Sequence, residues 1–261
     1  MTLPVTPNRE LGQHFLVDEN ILGVAGRLAE LHPDDVVLEV GAGLGVLTAY
    51  LADRVRLVHT VELDRSLEPH LRERLAGRAN VQLVFGDALQ LPLHELEPPP
   101  GKLVANLPYA IATPLVAESL GVLPTVRLWC VLVQREVADR FFASARTKSY
   151  GAVSVLVRLT AERVGLHPVA RTCFVPPPNV DSALVAFRRV RDWGAELVHL
   201  REVVQAAFAH RRKTLANSLE LAGRASRTDA VAALAELGRA PGDRAEALDP
   251  EEFLRLAELL P

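Results

Sequence analysis

Apolar residues along the chain fall into short dense runs separated by stretches of helical periodicity. Residues 36–40, 57–61, 81–85, 102–105 and 127–133 are apolar and rich in β-branched side chains. Runs of that length and composition predict buried strands. Between them, 44–52, 67–75 and 114–120 carry apolar residues at helical spacing. Strands alternating with helices predict an α/β architecture, a parallel sheet covered on both faces. A helix is expected near 134–143. The apolar runs 153–159 and 183–187 then read as an antiparallel pair closing the sheet edge, with Pro176, Pro177 and Pro178 in the connection.

The pattern changes near 188–194, and beyond it the chain reads as helical, with segments at 203–208, 215–221, 230–237 and 251–260. Asp249-Pro250-Glu251-Glu252 is a helix start: an Asp N-cap, Pro in the first turn and Glu three residues on. The division expected is an α/β domain over 1–190 and a small all-helical domain over 191–261.

Composition narrows the class. Hydrophobic residues make up 49% and charged residues 23%, which excludes a disordered chain. The formal net charge is −3, so any nucleic-acid binding must use a local basic patch rather than the overall field. No apolar run reaches membrane-spanning length, and no membrane partner is expected. The first ten residues hold two prolines and no apolar core of a secretory signal. Cys130 and Cys173 sit among apolar residues and read as free thiols in a reducing compartment, which predicts a cytoplasmic protein. None of the eight histidines stands at metal-site spacing, so no metal is expected.

Glu39-Val40-Gly41-Ala42-Gly43-Leu44-Gly45 follows the first long strand and opens a helix. Glycines there permit positive φ and close approach of the backbone to a ligand. The dinucleotide fingerprint wants its third glycine where Val46 stands. The spacing, with its preceding acid, suits an S-adenosylmethionine site better. Glu62 ends the second of these strands, twenty-one residues after Gly41, where a carboxylate can accept both ribose hydroxyls. Asp87, in Phe85-Gly86-Asp87-Ala88, ends the third and can accept from an adenine amine.

Asn106-Leu107-Pro108-Tyr109 follows the fourth strand. An exocyclic adenine nitrogen is a poor nucleophile because its lone pair is delocalised into the ring. The Asn106 oxygen and a backbone carbonyl near Leu107 can accept its two N–H groups, hold it in place and stabilise the positive charge that develops. Tyr109 can stack on the base. No strong general base is needed, because the alkylated amine is acidic enough to lose its proton to water.

With these motifs in place, the sequence resembles the KsgA-type small-subunit ribosomal RNA adenine dimethyltransferases over nearly its whole length. The stretches 12–18, 134–138, 148–151, 174–182, 211–215 and 217–219 also match family segments. The resemblance implies a Rossmann-like S-adenosylmethionine-dependent methyltransferase sheet with a small all-helical C-terminal domain. It implies that His14, Leu16, Gly41, Gly43, Glu62, Asp87, Ala88 and Asn106 hold S-adenosylmethionine, which leaves as S-adenosylhomocysteine. It implies that Asn106, Leu107 and Tyr109 hold the target adenine and that Phe174 stacks on its other face. His14 stands where relatives often carry Asn.

The implied reaction dimethylates two adjacent adenosines in the hairpin near the 3′ end of small-subunit (16S) rRNA, met as a pre-assembled particle during ribosome assembly by a monomeric enzyme. The base must leave its stack to reach the donor. Arg135, Arg140, Arg146, Lys148, Arg211, Arg212 and Lys213 are the candidates for phosphate contact. Two rival readings are a large-subunit rRNA adenine methyltransferase of the antibiotic-resistance type and a ribosome-assembly docking factor. Leu107, Asp181-Ser182 and the Arg-Arg-Lys stretch favour the small-subunit enzyme over the first. The intact Asn106 to Tyr109 motif argues against the second.

Overall fold

A computed structural model describes residues 3–8 and 11–261. The chain forms two compact units: Met1–Ala138 with Glu162–Arg189, and Asp139–Ala161 with Val190–Pro261.

The first unit is built on a seven-stranded sheet. In chain order it holds β1 (Phe15–Leu16), α1 (Glu19–Leu28), β2 (Val36–Val40), α2 (Val46–Ala52), β3 (Leu57–Glu62), α3 (Glu68–Arg74), β4 (Val81–Phe85), β5 (Lys102–Asn106), α4 (Ala112–Val122) and β6 (Leu128–Gln134). Helix α5 (Arg135–Phe141) follows, then α6 (Ala152–Thr160), β7 (Ala161–Val169), β8 (Phe174–Val175) and β9 (Ser182–Arg189). The strand order is β4-β3-β2-β5-β6-β9-β7, with β2 to β6 parallel and β9 antiparallel to β6. All five residues of β2 are buried, as expected for a central strand covered on both faces. The chain runs outward on one side from β2 to β4, then returns to lay β5 on the other side of β2. That reversal is a topological switch point, where open α/β sheets bind ligands beyond the strand ends.

One element departs from the sequence expectation. The apolar run 153–159 is not a strand but the body of helix α6, with Val153, Val155, Leu156, Val157 and Leu159 all buried. Val153, Val155, Val157 and Leu159 alternate along the run and so mimic a strand, although Ser154 and Arg158, four residues apart, mark one helical face. The Ser154 hydroxyl accepts from Gly151 N–H at 3.1 Å and donates to the Arg140 carbonyl at 2.5 Å, fixing the helix start. The edge strand is β7, which carries Glu162, Arg163 and Pro168 and exposes its middle. Charge and proline protect an edge strand from further pairing, and they also remove its apolar pattern.

The second unit contains α6 and four further helices, α7 (Glu196–Ala209), α8 (Leu215–Leu221), α9 (Arg227–Glu236) and α10 (Pro250–Leu259). The Thr214 and Ser226 side chains cap α8 and α9. The expected start of α10 forms: Glu252 accepts from the Asp249 N–H at 2.8 Å and pairs with Arg239 at 2.5 Å. Tyr150 donates to the Leu248 carbonyl at 2.9 Å, tying the approach to α6 to the approach to α10.

Candidate active site

The glycine turn leaves β2 with Gly41, Gly43 and Gly45 at φ +85°, +55° and +69°. Two of these glycines are needed for space as well as for conformation. A Cβ on Gly41 would lie 3.1 Å from Pro108 Cδ and 3.4 Å from the Asn106 carbonyl oxygen. One on Gly43 would lie 3.1 Å from the Phe15 ring. The turn is therefore pressed between β1 and the segment after β5. Gly41→Ala combines a left-handed φ with that tight contact. We expect it to destabilise the protein by about 1–3 kcal/mol, read as a lower urea midpoint at unchanged slope.

Two acidic residues support the turn. Glu62, at the end of β3, is 6% exposed. Its carboxylate accepts from Gly43 N–H and Asp64 N–H, each at 2.8 Å. Burial pushes its pKa up, and these backbone donors oppose the shift. Each carboxylate oxygen has a second lone pair, so Glu62 still has acceptors to offer. Glu39, in β2, is wholly buried. Its Oε2 accepts from Thr48 at 2.6 Å and Thr60 at 2.7 Å, while Oε1 has no partner. Burial pushes its pKa up to about 7, against the opposing threonine bonds. Beyond β4, Asp87 accepts from Leu89 N–H at 2.9 Å through Oδ1.

Asn106 ends β5, and the chain then turns sharply into α4. The turn is held by Leu107 N–H to Leu132 O at 3.1 Å and by Pro108 O, which accepts from Ile111 and Ala112 at 3.1 Å each. The Asn106 amide nitrogen donates to the His14 carbonyl at 3.3 Å. That bond assigns the amide orientation and leaves Oδ1 as the group available to a ligand. Among the described residues no backbone N–H outside the regular elements donates to the Leu107 carbonyl. The Tyr109 hydroxyl bonds Ser182 Oγ at 2.6 Å, and its ring centroid lies 5.8 Å from that of His14. His14 Nδ1 lies 2.8 Å from the Pro176 carbonyl.

These segments surround one cleft of about 220 Å³ at the switch point. Neutral acceptors, a buried carboxylate and a tyrosine ring therefore face one volume.

Comparison with known proteins agrees with this geometry. The family model "Ribosomal RNA adenine dimethylase" matches residues 5–261. The chain belongs to the ribosomal RNA adenine dimethylase family. It is 44% identical to a ribosomal RNA small subunit methyltransferase A from Rubrobacter xylanophilus, over 96% of this chain and 94% of that one. It is 42% identical to the protein of the same name from Pelotomaculum thermopropionicum, over 97% and 91%. Among solved structures, the 23S rRNA methyltransferase ErmE is similar at TM-score 0.64 and 34% identity, over 94% of this chain and 99% of that one. A dimethyladenosine transferase from Plasmodium falciparum shares the fold at TM-score 0.73 and 24% identity, over 93% and 96%.

In this adenine dimethylase the cleft gathers His14, Gly41, Gly43, Glu62, Asp87, Ala88, Asn106, Leu107 and Tyr109. Leu16 and Phe174 are not among its walls. They face each other in the register of β1 against β8, and both side chains are buried in the hydrophobic core. Phe174 is 2% exposed, so the ring does not stand across the cleft from Tyr109 as the resemblance implied. Sequence reasoning also missed Leu63, Gln13 and Ser182. Leu63 is 53% exposed and lines the cleft, an apolar surface beside Glu62. Its position directly after the strand-end acid was the available signal. Gln13 donates to Asp64 at 2.7 Å, a contact across fifty-one residues that no local pattern encodes.

The basic candidates divide between the two units. Arg135 begins α5 in the sheet unit and is exposed. Arg140, Arg146, Lys148, Arg211, Arg212 and Lys213 belong to the helical unit. Arg211 donates to the Tyr150 carbonyl at 3.0 Å and the Lys148 carbonyl at 3.4 Å, which brings 146–148 beside 211–213. Glu246 lies 3.9 Å from Arg211 and offsets part of that charge. Arg146, Lys148, Arg212 and Lys213 are exposed. Among the described residues no three His, Cys, Asp or Glu side chains converge as a metal site, and no helix is long and apolar enough to cross a membrane.

Proposed function

We propose that this protein transfers methyl groups from S-adenosylmethionine to the exocyclic amine of adenosine in ribosomal RNA. The targets are two adjacent adenosines in the hairpin near the 3′ end of the small-subunit RNA, each dimethylated. The observation that carries this reading is the Asn106 amide, whose nitrogen is held by the His14 carbonyl and whose oxygen is left to the cleft beside Tyr109.

The cleft residues fit the donor. Glu62 has acceptors for the ribose hydroxyls, and Leu63 with Ala88 gives apolar surface for a purine. Asp87 has a second carboxylate oxygen for the purine amine, and the glycine turn presents bare backbone to the cleft. Bound there, the donor supplies an electrophilic methyl group on a sulfonium. Asn106 Oδ1 and the Leu107 carbonyl accept the two N–H groups of the target amine. They draw its lone pair out of conjugation and stabilise positive charge as it forms. Tyr109 stacks on the base and gains attraction as the base becomes cationic. The surplus proton passes to water. The helical unit docks RNA, with phosphates held by Arg140, Arg146, Lys148 and the 211–213 stretch, and Arg135 of the sheet unit is a further phosphate contact. The working enzyme is a monomer in the cytoplasm acting on a pre-assembled particle.

The similarity to ErmE keeps large-subunit RNA as the second reading. Labelled S-adenosylmethionine is incubated with the protein and unmethylated small subunits, large-subunit RNA or DNA, and the nucleosides are analysed. Dimethyladenosine in the small subunit alone is expected. Label in large-subunit RNA moves the protein to the resistance class, and tight small-subunit binding without label makes it a docking factor.

A further inference from the structure

The stretch 174–182 reaches the site by a route other than its aromatic residue. Phe174 is buried in the core, yet polar anchors for two cleft residues, His14 and Tyr109, come from farther along the same stretch. The Pro176 carbonyl meets His14 Nδ1 at 2.8 Å, and Ser182 Oγ meets the Tyr109 hydroxyl at 2.6 Å. Ser182 is itself rigid: it is 1% exposed and lies in β9, paired with Gln134 of β6. Tyr109 is different, since it follows a tight turn and stands half-buried at the cleft wall.

We infer that Ser182 is a positioning residue: its hydroxyl pins the Tyr109 phenol to the sheet and so fixes where the ring stands for the target base to stack on it. The inference rests on the adenine-methylating reading of the cleft. A bond at the phenol oxygen fixes the direction of the ring axis, and the preference of the O–H for the ring plane then favours one rotation about that axis. Angular placement matters here because the amine must meet the methyl group in line, and small misplacements near a reacting atom cost large factors in rate. It matters twice, because the pocket receives the adenine with no methyl group and again with one. A loosened ring admits the bulkier monomethyl base in more than one pose, so the second transfer suffers more than the first.

The test is a double-mutant cycle of Ser182→Ala and Tyr109→Phe on undermethylated small subunits. Single-turnover rates, KM and the ratio of monomethyl to dimethyl product are measured for each protein. Each single variant is expected to lower kcat/KM about tenfold, mostly in kcat, with monomethyladenosine accumulating. The double variant is expected to lose no more than about tenfold, because one bond is removed either way. Ser182→Thr, which keeps the hydroxyl in a strand that suits β-branching, is expected to recover activity to within about threefold of wild type. Donor affinity by calorimetry stays within about twofold throughout.

A wild-type rate in Ser182→Ala, or losses that multiply to about a hundredfold in the double variant, overturns the inference. So does loss of donor affinity in step with transfer, which marks a general structural defect. If the wild-type protein methylates large-subunit RNA, the same cycle is run on that substrate. A wild type that methylates no RNA overturns the reading of the cleft before any variant is compared, and the inference with it.

Discussion

Asn106→Ala is expected to lower the single-turnover rate of methyl transfer by about a thousandfold while the protein remains folded. The size follows from what the side chain does at two atoms. Its nitrogen is held by the His14 carbonyl, and that bond fixes where the oxygen sits. In the proposed mechanism the oxygen is the neutral acceptor that accompanies growth of charge on the amine. Truncation removes the acceptor and leaves the His14 carbonyl without its donor. The loss belongs in kcat, because the contact strengthens only as the nitrogen becomes cationic. Asn106→Asp keeps an oxygen in place but sets a second acceptor against the His14 carbonyl. Its rate is expected to fall by at least a hundredfold, although its charge would favour a cation. A thermal melt near wild type, together with stopped-flow quench rates, checks both. An Asn106→Ala rate within tenfold of wild type would remove the amide from the chemistry and return the cleft to a simple binding role.

Glu39→Gln is expected to make the protein more stable at alkaline pH by about 3 kcal/mol and to leave it nearly unchanged at pH 4.5. Glu39 is wholly buried, and burial raises its pKa from the ordinary 4.5 to about 7 in the folded chain. Between those values the native state holds a proton that the unfolded state has released. Stability therefore falls as pH rises through this window and levels off above it. Gln is the neutral isostere, accepts the same threonine bonds through its oxygen and never ionises. The contrast isolates Glu39 from groups with the opposite sign. Asp18, Asp64 and Glu252 have lowered pKa values, so their stabilisation is lost only at more acidic pH. Glu62 shifts the same way as Glu39 and remains in the variant, so a shallower residual slope is expected there. Urea midpoints at pH 4.5, 6 and 8 read the difference. Parallel wild-type and variant curves would show that Glu39 is ionised without penalty and that its partnerless oxygen finds water.

Local chemistry made the sheet unit readable. Each buried strand of the parallel core is a short apolar run, and Gly41, Glu62, Asp87 and Asn106 line the cleft where such runs end. Gly41, Glu62, Asp87 and Asn106 are therefore legible one by one, because strand ends in this architecture converge at the switch point. The capped start at Asp249 is equally local, since both partners lie within four residues. The failures share a cause. Helix α6 reads as a strand because its valines alternate along the run, although Ser154 and Arg158 keep a helical face. Strand β7 escaped because an edge needs charge rather than apolar alternation. Phe174 reads as a stacking ring by the family resemblance alone, and pairing of β8 with β1 turns its side chain into the core. The contacts that define the site chemically join residues far apart in the chain. Asn106 to His14 spans ninety-two positions and Tyr109 to Ser182 spans seventy-three. By itself the sequence determined that Gly41, Glu62, Asp87 and Asn106 meet at one cleft, because residue type and strand-end position are local properties. Only the tertiary structure decided which of them are free to meet a ligand and which are spent on one another, because that is settled by hydrogen bonds between segments that chain order does not bring together.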